Sequence, residues 1–174
     1  MRRLELPIGR RAVVKQFGRT VQEAILAIAL EQQLPPLLNE LEPWDVVIAV
    51  VSSAVGWVDT IMASGQYQHR AKLPYTPGLE YSGFVVWMGP EAKEAMQKKQ
   101  GDEIQISEIE IGSRVFVDGL TAGPRSDGPY QRWGGCASYA VAPIGAVQPI
   151  PDSWSFDQAC NFIGSYETGE VGSL

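Results

Sequence analysis

The stretch Leu73 to Gly89, LPYTPGLEYSGFVVWMG, constrains this chain more than any other. Pro74 and Pro77 fix φ on either side of Tyr75-Thr76, and Gly78 permits a turn that a larger residue resists. Gly83 lets a strand begin against a close neighbour, and the apolar run Phe84 to Met88 carries it on. The stretch therefore reads as a rigid corner feeding a buried β-strand.

The rest of the chain suits such a corner. Eighteen glycines and twelve prolines punctuate short apolar runs over 174 residues, which favours a turn-rich β domain with one sizeable core. Val46 to Val51 is a β-branched run and the clearest strand. Arg11 to Phe17, Arg114 to Val117, Cys136 to Ala142 and Ala146-Val147 read as further strands. A short helix is expected from Val58 to Ser64, beginning near Asp59 and closed by Gly65, and another opens at Ser155. Glu91 to Gln100 is helix-prone but has almost no apolar face, so 91–110 reads as a polar surface insertion. The Gly- and Pro-rich stretch Asp118 to Gly135 reads as an exposed loop. Thr20 to Gln33 is ambiguous: Thr20 with Glu23 resembles a capping box, yet AILAIAL is too continuous to show a period. The sum is mainly β with short helices, a twisted, barrel-like domain of six to eight short strands.

Charge and composition exclude several classes of function. A net charge of -6 leaves no basic footprint for nucleic acid or an anionic membrane. No apolar run approaches the roughly 20 residues that cross a bilayer. Cys136 and Cys160 stand 24 positions apart and make neither a CxxC metal site nor a disulfide framework. Both read as free thiols of a soluble protein in a reducing compartment. Met1 to Phe17 has no apolar h-region of a secretory leader. Residues 1–10 read as a basic, solvated extension. Arg2, Arg3, Arg10, Arg11, Lys15 and Arg19 against Glu5 also suit a mitochondrial or plastid transit peptide, which Pro7 and Ala12-Val13-Val14 interrupt. The compartment is thus cytoplasm or an organelle.

Several motifs fall in one order. Ala54 to Thr60 stands as a loop after the central strand, followed by Gly65-Gln66-Tyr67. Leu73 to Gly78 and Gly83 form the corner. Gly112-Ser113-Arg114-Val115, Gly134 to Tyr139, Ile150-Pro151 with Gln158-Ala159, and Tyr166-x-Thr168 come next. This order resembles the N-terminal GroES-like domain, a partly open β-barrel, of the medium-chain dehydrogenase/reductase superfamily, and within it the zinc-independent quinone oxidoreductases. The resemblance covers about Arg11 to Leu174. It implies a β domain over 11–155 and, over 156–174, the start of a helix leading to a cofactor domain. It also tilts Thr20 to Gln33 towards strand.

The resemblance implies NADPH chemistry on quinones or conjugated carbonyl compounds. Tyr67 is then the catalytic candidate, able to polarise a carbonyl or supply a proton, and equally a loop tyrosine packed on the corner. Gly56, Trp57, Asp59, Tyr75 and Leu79 would border the substrate cleft. Asp59 is better suited to capping the short helix than to acting as a base, and Tyr75 to packing the corner. Thr168 is the one cofactor-side candidate. His69, in a polar loop, reads as a solvated side chain.

The departures are as informative. Zinc-dependent relatives have Cys after the central strand and Gly-His-Glu at the corner; here Gly78-Leu79-Glu80 has no His, so no zinc is expected. Gly56 stands where the family commonly has Asn. No G-x-G-x-x-G of a Rossmann unit is present in these residues, so NADPH is not expected to bind this chain alone. Two readings follow: the substrate-side domain of a reductase, or a non-catalytic, reductase-derived subunit of a larger assembly, in an organelle or elsewhere. Either implies a protein partner or a separate cofactor domain.

Overall fold

The computed structural model describes residues 2–98 and 109–162, the side chains of 95–98 excepted. The elements are β1 (Gly9–Val13), α1 (Val21–Leu26), β2 (Ala29–Gln33), β3 (Asp45–Ser53), α2 (Trp57–Ala63), β4 (Tyr81–Met88), α3 (Pro90–Lys98), β5 (Arg114–Val117), β6 (Tyr139–Pro143), β7 (Val147–Pro149) and α4 (Phe156–Cys160). Strands β3 to β7 form one sheet in the order β6-β3-β4-β5-β7, and β1 with β2 forms a ribbon. Among the described residues every strand pairing is antiparallel.

The alternation of a strand's side chains explains why β3 sits at the centre. Val46 and Ile48 face one core with Tyr81, Val85, Val115 and Ala140. Val47, between them, faces the opposite side with Tyr139 and Val141, where Leu4, Leu6 and Trp87 cover it. A strand segment buried on both faces must be a continuous apolar run, which Val46-Val47-Ile48 supplies. β4 runs alongside, and its Gly83 lies where a Cβ would come within 2.1 Å of the Ala49 carbonyl.

The ribbon closes much of the remaining gap. Arg11 bridges Ala137, and the Ala12 and Ser138 N–H groups donate to the Cys136 and Arg10 carbonyls. The buried Gln33 amide donates to the Tyr139 carbonyl at 2.7 Å and accepts from the Tyr139 N–H at 2.9 Å, so one side chain extends the ladder. The result is the mainly β, partly open architecture expected, with seven strands among the described residues.

Four expectations are modified. Thr20 to Gln33 is not one strand: Thr20 Oγ1 accepts from the Glu23 N–H and starts α1, while β2 begins only at Ala29. Local capping wins over the first half, and pairing with β1 wins over the second. The basic end is strapped down in part, with Arg3 bridging Leu37 and donating to the Pro35 carbonyl. The helix at 91–98 docks its first turn, where the Glu91 and Ala92 N–H groups donate to the Pro43 carbonyl and Ala92 is fully buried. Residues 99–108 of the insertion lie outside the described residues. Asp118 to Gly135 is not simply exposed: Ala122, Ser126 and Gln131 are buried, because the loop folds back over the corner.

Candidate functional site

The corner is built by two chain segments that touch backbone to backbone. The Gly135 N–H donates to the Gly78 carbonyl at 2.7 Å, and the Cys136 N–H to the Pro77 carbonyl at 2.9 Å. Gly78 adopts φ +103°, a left-handed conformation that favours glycine. At Gly134 a Cβ would fall 2.1 Å from the Thr76 carbonyl oxygen. The paired glycines before β6 are therefore a steric requirement of the corner.

Asp59 joins this corner to α2. Its Oδ2 accepts from the Gly56 N–H at 3.0 Å and its Oδ1 from the Gly78 N–H at 2.9 Å. One carboxylate thus caps the helix and anchors the turn 19 residues away. Burial pushes the Asp59 carboxyl above its ordinary range, and the N–H groups of Gly56, Gly78 and Leu79 oppose that. Both oxygens being engaged, Asp59 serves as a clasp, in keeping with its expected capping role.

Tyr75 is 2% exposed, with its backbone paired to Val14 in both directions. Its hydroxyl has no hydrogen-bond partner among the described residues, and burial, then the Asp59 charge, pushes its pKa upward. Leu79 is buried beside it in a cluster with Val14, Met62 and Ala71, against which Val58 and Tyr67 pack. The site thus places Tyr67, Tyr75 and Leu79 in one cluster, with Asp59 beside it. Tyr67 is half-buried, and the Arg125 guanidinium lies 5.8 Å from its ring centre. Trp57 is 69% exposed and Val55 80%, so both stand on an open rim. Gly56 sits between them as the N-terminal cap of α2. Thr168 lies outside the described residues.

Sequence reasoning missed three participants. Ser53 Oγ faces Cys136 Sγ at 3.8 Å beneath the corner, and burial pushes that thiol upward, with Ser53 opposing and Asp59 adding to the rise. Arg125 was hidden in a loop expected to be exposed. His69 is half-buried, with its Nε2 at 3.2 Å from Gln131 Nε2, and Gln131 also accepts from the Lys72 N–H. The Gly134-Gly135 pair was the one available signal for this layer. Both cysteines are free thiols.

Among the described residues no group of three His, Cys, Asp or Glu side chains could hold a metal ion. At the corner the apolar Leu79 side chain offers no donor atom to a metal. No helix among the described residues is long and apolar enough to cross a membrane.

The family model for the alcohol dehydrogenase GroES-like domain matches residues 42–152. The chain belongs to that family. This GroES-like domain is quinone-oxidoreductase-like, within the medium-chain dehydrogenase/reductase superfamily. It is 33% identical over 125 residues to a quinone oxidoreductase-like protein 2 homolog of Nematostella vectensis, covering 72% of this chain and 27% of that one. Human synaptic vesicle membrane protein VAT-1 homolog-like protein shares 25% identity with a TM-score of 0.63, over 96% of this chain and 44% of its own. A mycobacterial protein complexed with NADPH shares 20% identity and the fold, with a TM-score of 0.65, over 95% of this chain and 42% of its own. The GroES-like domain thus spans about a quarter of the curated relative and under half of the solved structures.

The described residues include no parallel βαβ unit. NADPH pyrophosphate is ordinarily held by a strand, a glycine turn and a helix within a parallel βαβ unit. Here every strand pairing among the described residues is antiparallel.

Proposed function

We propose that this chain is the substrate-side domain of an NADPH-dependent quinone or enone oxidoreductase and is inactive without a cofactor-binding domain. The Asp59 clasp carries the reading. It fixes the N-terminus of α2 to the corner, so that Val55 and Trp57 stand on a stiff, open apolar rim. The chain's own task is to bind and orient the carbonyl compound beside this rim. Tyr67 is the group that donates a hydrogen bond or proton to the carbonyl oxygen. The hydride would come from a cofactor held elsewhere in the enzyme.

The test is NADPH-dependent reduction of quinones by the native protein. Tyr67→Phe is expected to lower the rate about 100-fold while leaving the unfolding midpoint unchanged. An unchanged rate removes Tyr67 from the chemistry. The second reading, a non-catalytic, reductase-derived subunit of a larger assembly, in an organelle or elsewhere, is favoured by two observations. Gly56 offers no side-chain amide, and the Tyr67 ring is faced by Arg125. A native mass near that of this chain, 19.0 kDa, in stable association with other proteins and without quinone reduction, would establish it.

A further inference from the structure

The ribbon ends on an edge that nothing among the described residues covers. The Ala12 N–H donates to the Cys136 carbonyl and the Ser138 N–H to the Arg10 carbonyl, so the backbone of Arg10 and Ala12 faces residues 136–138. By alternation Gly9, Arg11 and Val13 face β2, where their partners are Gln33, Glu31 and Ala29. The backbone groups of Leu30 and Gln32 therefore point away from the ribbon, and among the described residues no hydrogen bond engages them. Both side chains are exposed, Leu30 to 81%. Edge strands are ordinarily guarded by a charge or a proline in the outer row. Here the one charge of β2, Glu31, is turned to Lys15 at 2.7 Å and Arg11 at 3.3 Å. The prolines, Pro35 and Pro36, come only after Leu34, itself 48% exposed.

We propose that β2 is a docking edge for the β2 of a second copy of this chain, the two strands pairing antiparallel about a two-fold axis at Gln32. Outward-facing groups must meet outward-facing groups, and the neighbouring residues eliminate the other axes. Centring on Leu30 would pair Gln32 with Ile28, whose N–H is already donated to the Ile25 carbonyl. Centring on Glu31 would set that carboxylate opposite its own copy, like charges across the pair. Centring on Gln33 would set Pro36 opposite Leu30, where it has no N–H to give. Centring on Gln32, with the strand extended by Leu34, sets Leu30 opposite the partner's Leu34 on both sides of the axis. Glu31 then meets a neutral glutamine, the partner's Gln33. The pairing engages the free backbone groups of Leu30 and Gln32 and covers two exposed leucines in each copy. Nothing in it depends on the reductase reading.

Analytical ultracentrifugation of the native protein over a wide concentration range is expected to show reversible self-association. Leu30→Lys should weaken it about 10-fold, because each copy carries the substitution into one of the two leucine pairs. The urea midpoint should not move, Leu30 being exposed. Leu120→Lys, at an exposed leucine outside the ribbon, controls for non-specific association and should change nothing. The axis is read by cysteine substitution. Gln32→Cys sets two thiols opposite each other with Cα atoms about 5.5 Å apart, and should cross-link two copies on air oxidation. Leu30→Cys should not, because the two copies of position 30 then lie about 13 Å apart along the strands. The parent protein, whose Cys136 is half-buried and Cys160 buried, is the blank. Absence of self-association, association indifferent to Leu30→Lys, or cross-linking by Leu30→Cys in place of Gln32→Cys would each overturn the pairing. A monomer whose β2 is taken up by a different protein falls under the first of these.

Discussion

The corner at Thr76 to Leu79 and the rim at Val55 to Trp57 are joined by one carboxylate, yet they are built on opposite terms. At the corner every position is determined by a neighbour: Gly78 by its φ, Gly134 by the Thr76 carbonyl, and Pro77 and Gly78 by their bonds to Cys136 and Gly135. At the rim almost nothing is determined. Val55 and Trp57 are exposed, and Gly56 has room for a side chain. A rigid frame beside an undemanding edge is the arrangement in which specificity can change without endangering the fold.

This contrast can be broken by substitution. Gly134→Ala puts a methyl group onto a backbone oxygen that has nowhere to move, and should cost about 3 kcal/mol or more in urea unfolding. A loss under about 1 kcal/mol would mean the corner yields more easily than its contacts imply. Asp59→Ala leaves the Gly56 and Gly78 N–H groups without their acceptor, and should cost about 2–4 kcal/mol.

The same clasp carries a pH signature. The folded-state pKa of Asp59 is raised by burial, so the folded protein holds this proton after the unfolded chain has released it. The stability Asp59 contributes is therefore fullest below the ordinary carboxylate value and declines as pH rises through the raised one. The cost of Asp59→Ala should be larger at pH 4 than at pH 6.5 when both are measured by urea unfolding. A cost that grows with pH would show that the backbone N–H groups outweigh burial. Glu31 works in the opposite sense, held below its ordinary value first by its hydrogen bond to Lys15, with Arg11 adding, and is common to both proteins. The smallest effect is expected at the rim, where Gly56→Ala should stay within about 0.5 kcal/mol of the parent. A large loss there would make Gly56 another fold-determined glycine and erase the contrast.

Sequence made the frame legible where a single local cause acted. Val46-Val47-Ile48 had to be strand because β-branched residues buried on both faces have few alternatives, and Ser155 announced α4 by its cap, accepting from the Gln158 N–H. Asp59 was readable as a cap for the same reason. Its second bond was not, because Gly78 lies 19 residues away and no local pattern reports it. The Thr20 to Gln33 segment misled because its apolar run, Ala24 to Leu30, straddles two elements, the first started by the Thr20 cap and the second fixed by pairing with β1. Asp118 to Gly135 misled because Gly and Pro signal turns and say nothing of burial, which here depends on the corner it covers.

The last described helix is short, yet it is held on three sides. Ser82 Oγ donates to the Phe156 carbonyl, Ser52 Oγ donates to Asp157 Oδ1, and Arg114 stacks on the Phe156 ring while donating to the Trp154 carbonyl. Those anchors come from β4, β3 and β5 in turn. The chain therefore passes Cys160 on a bearing set by the central sheet. A change in the twist of those three strands would turn α4 with them, as a rudder turns with its post.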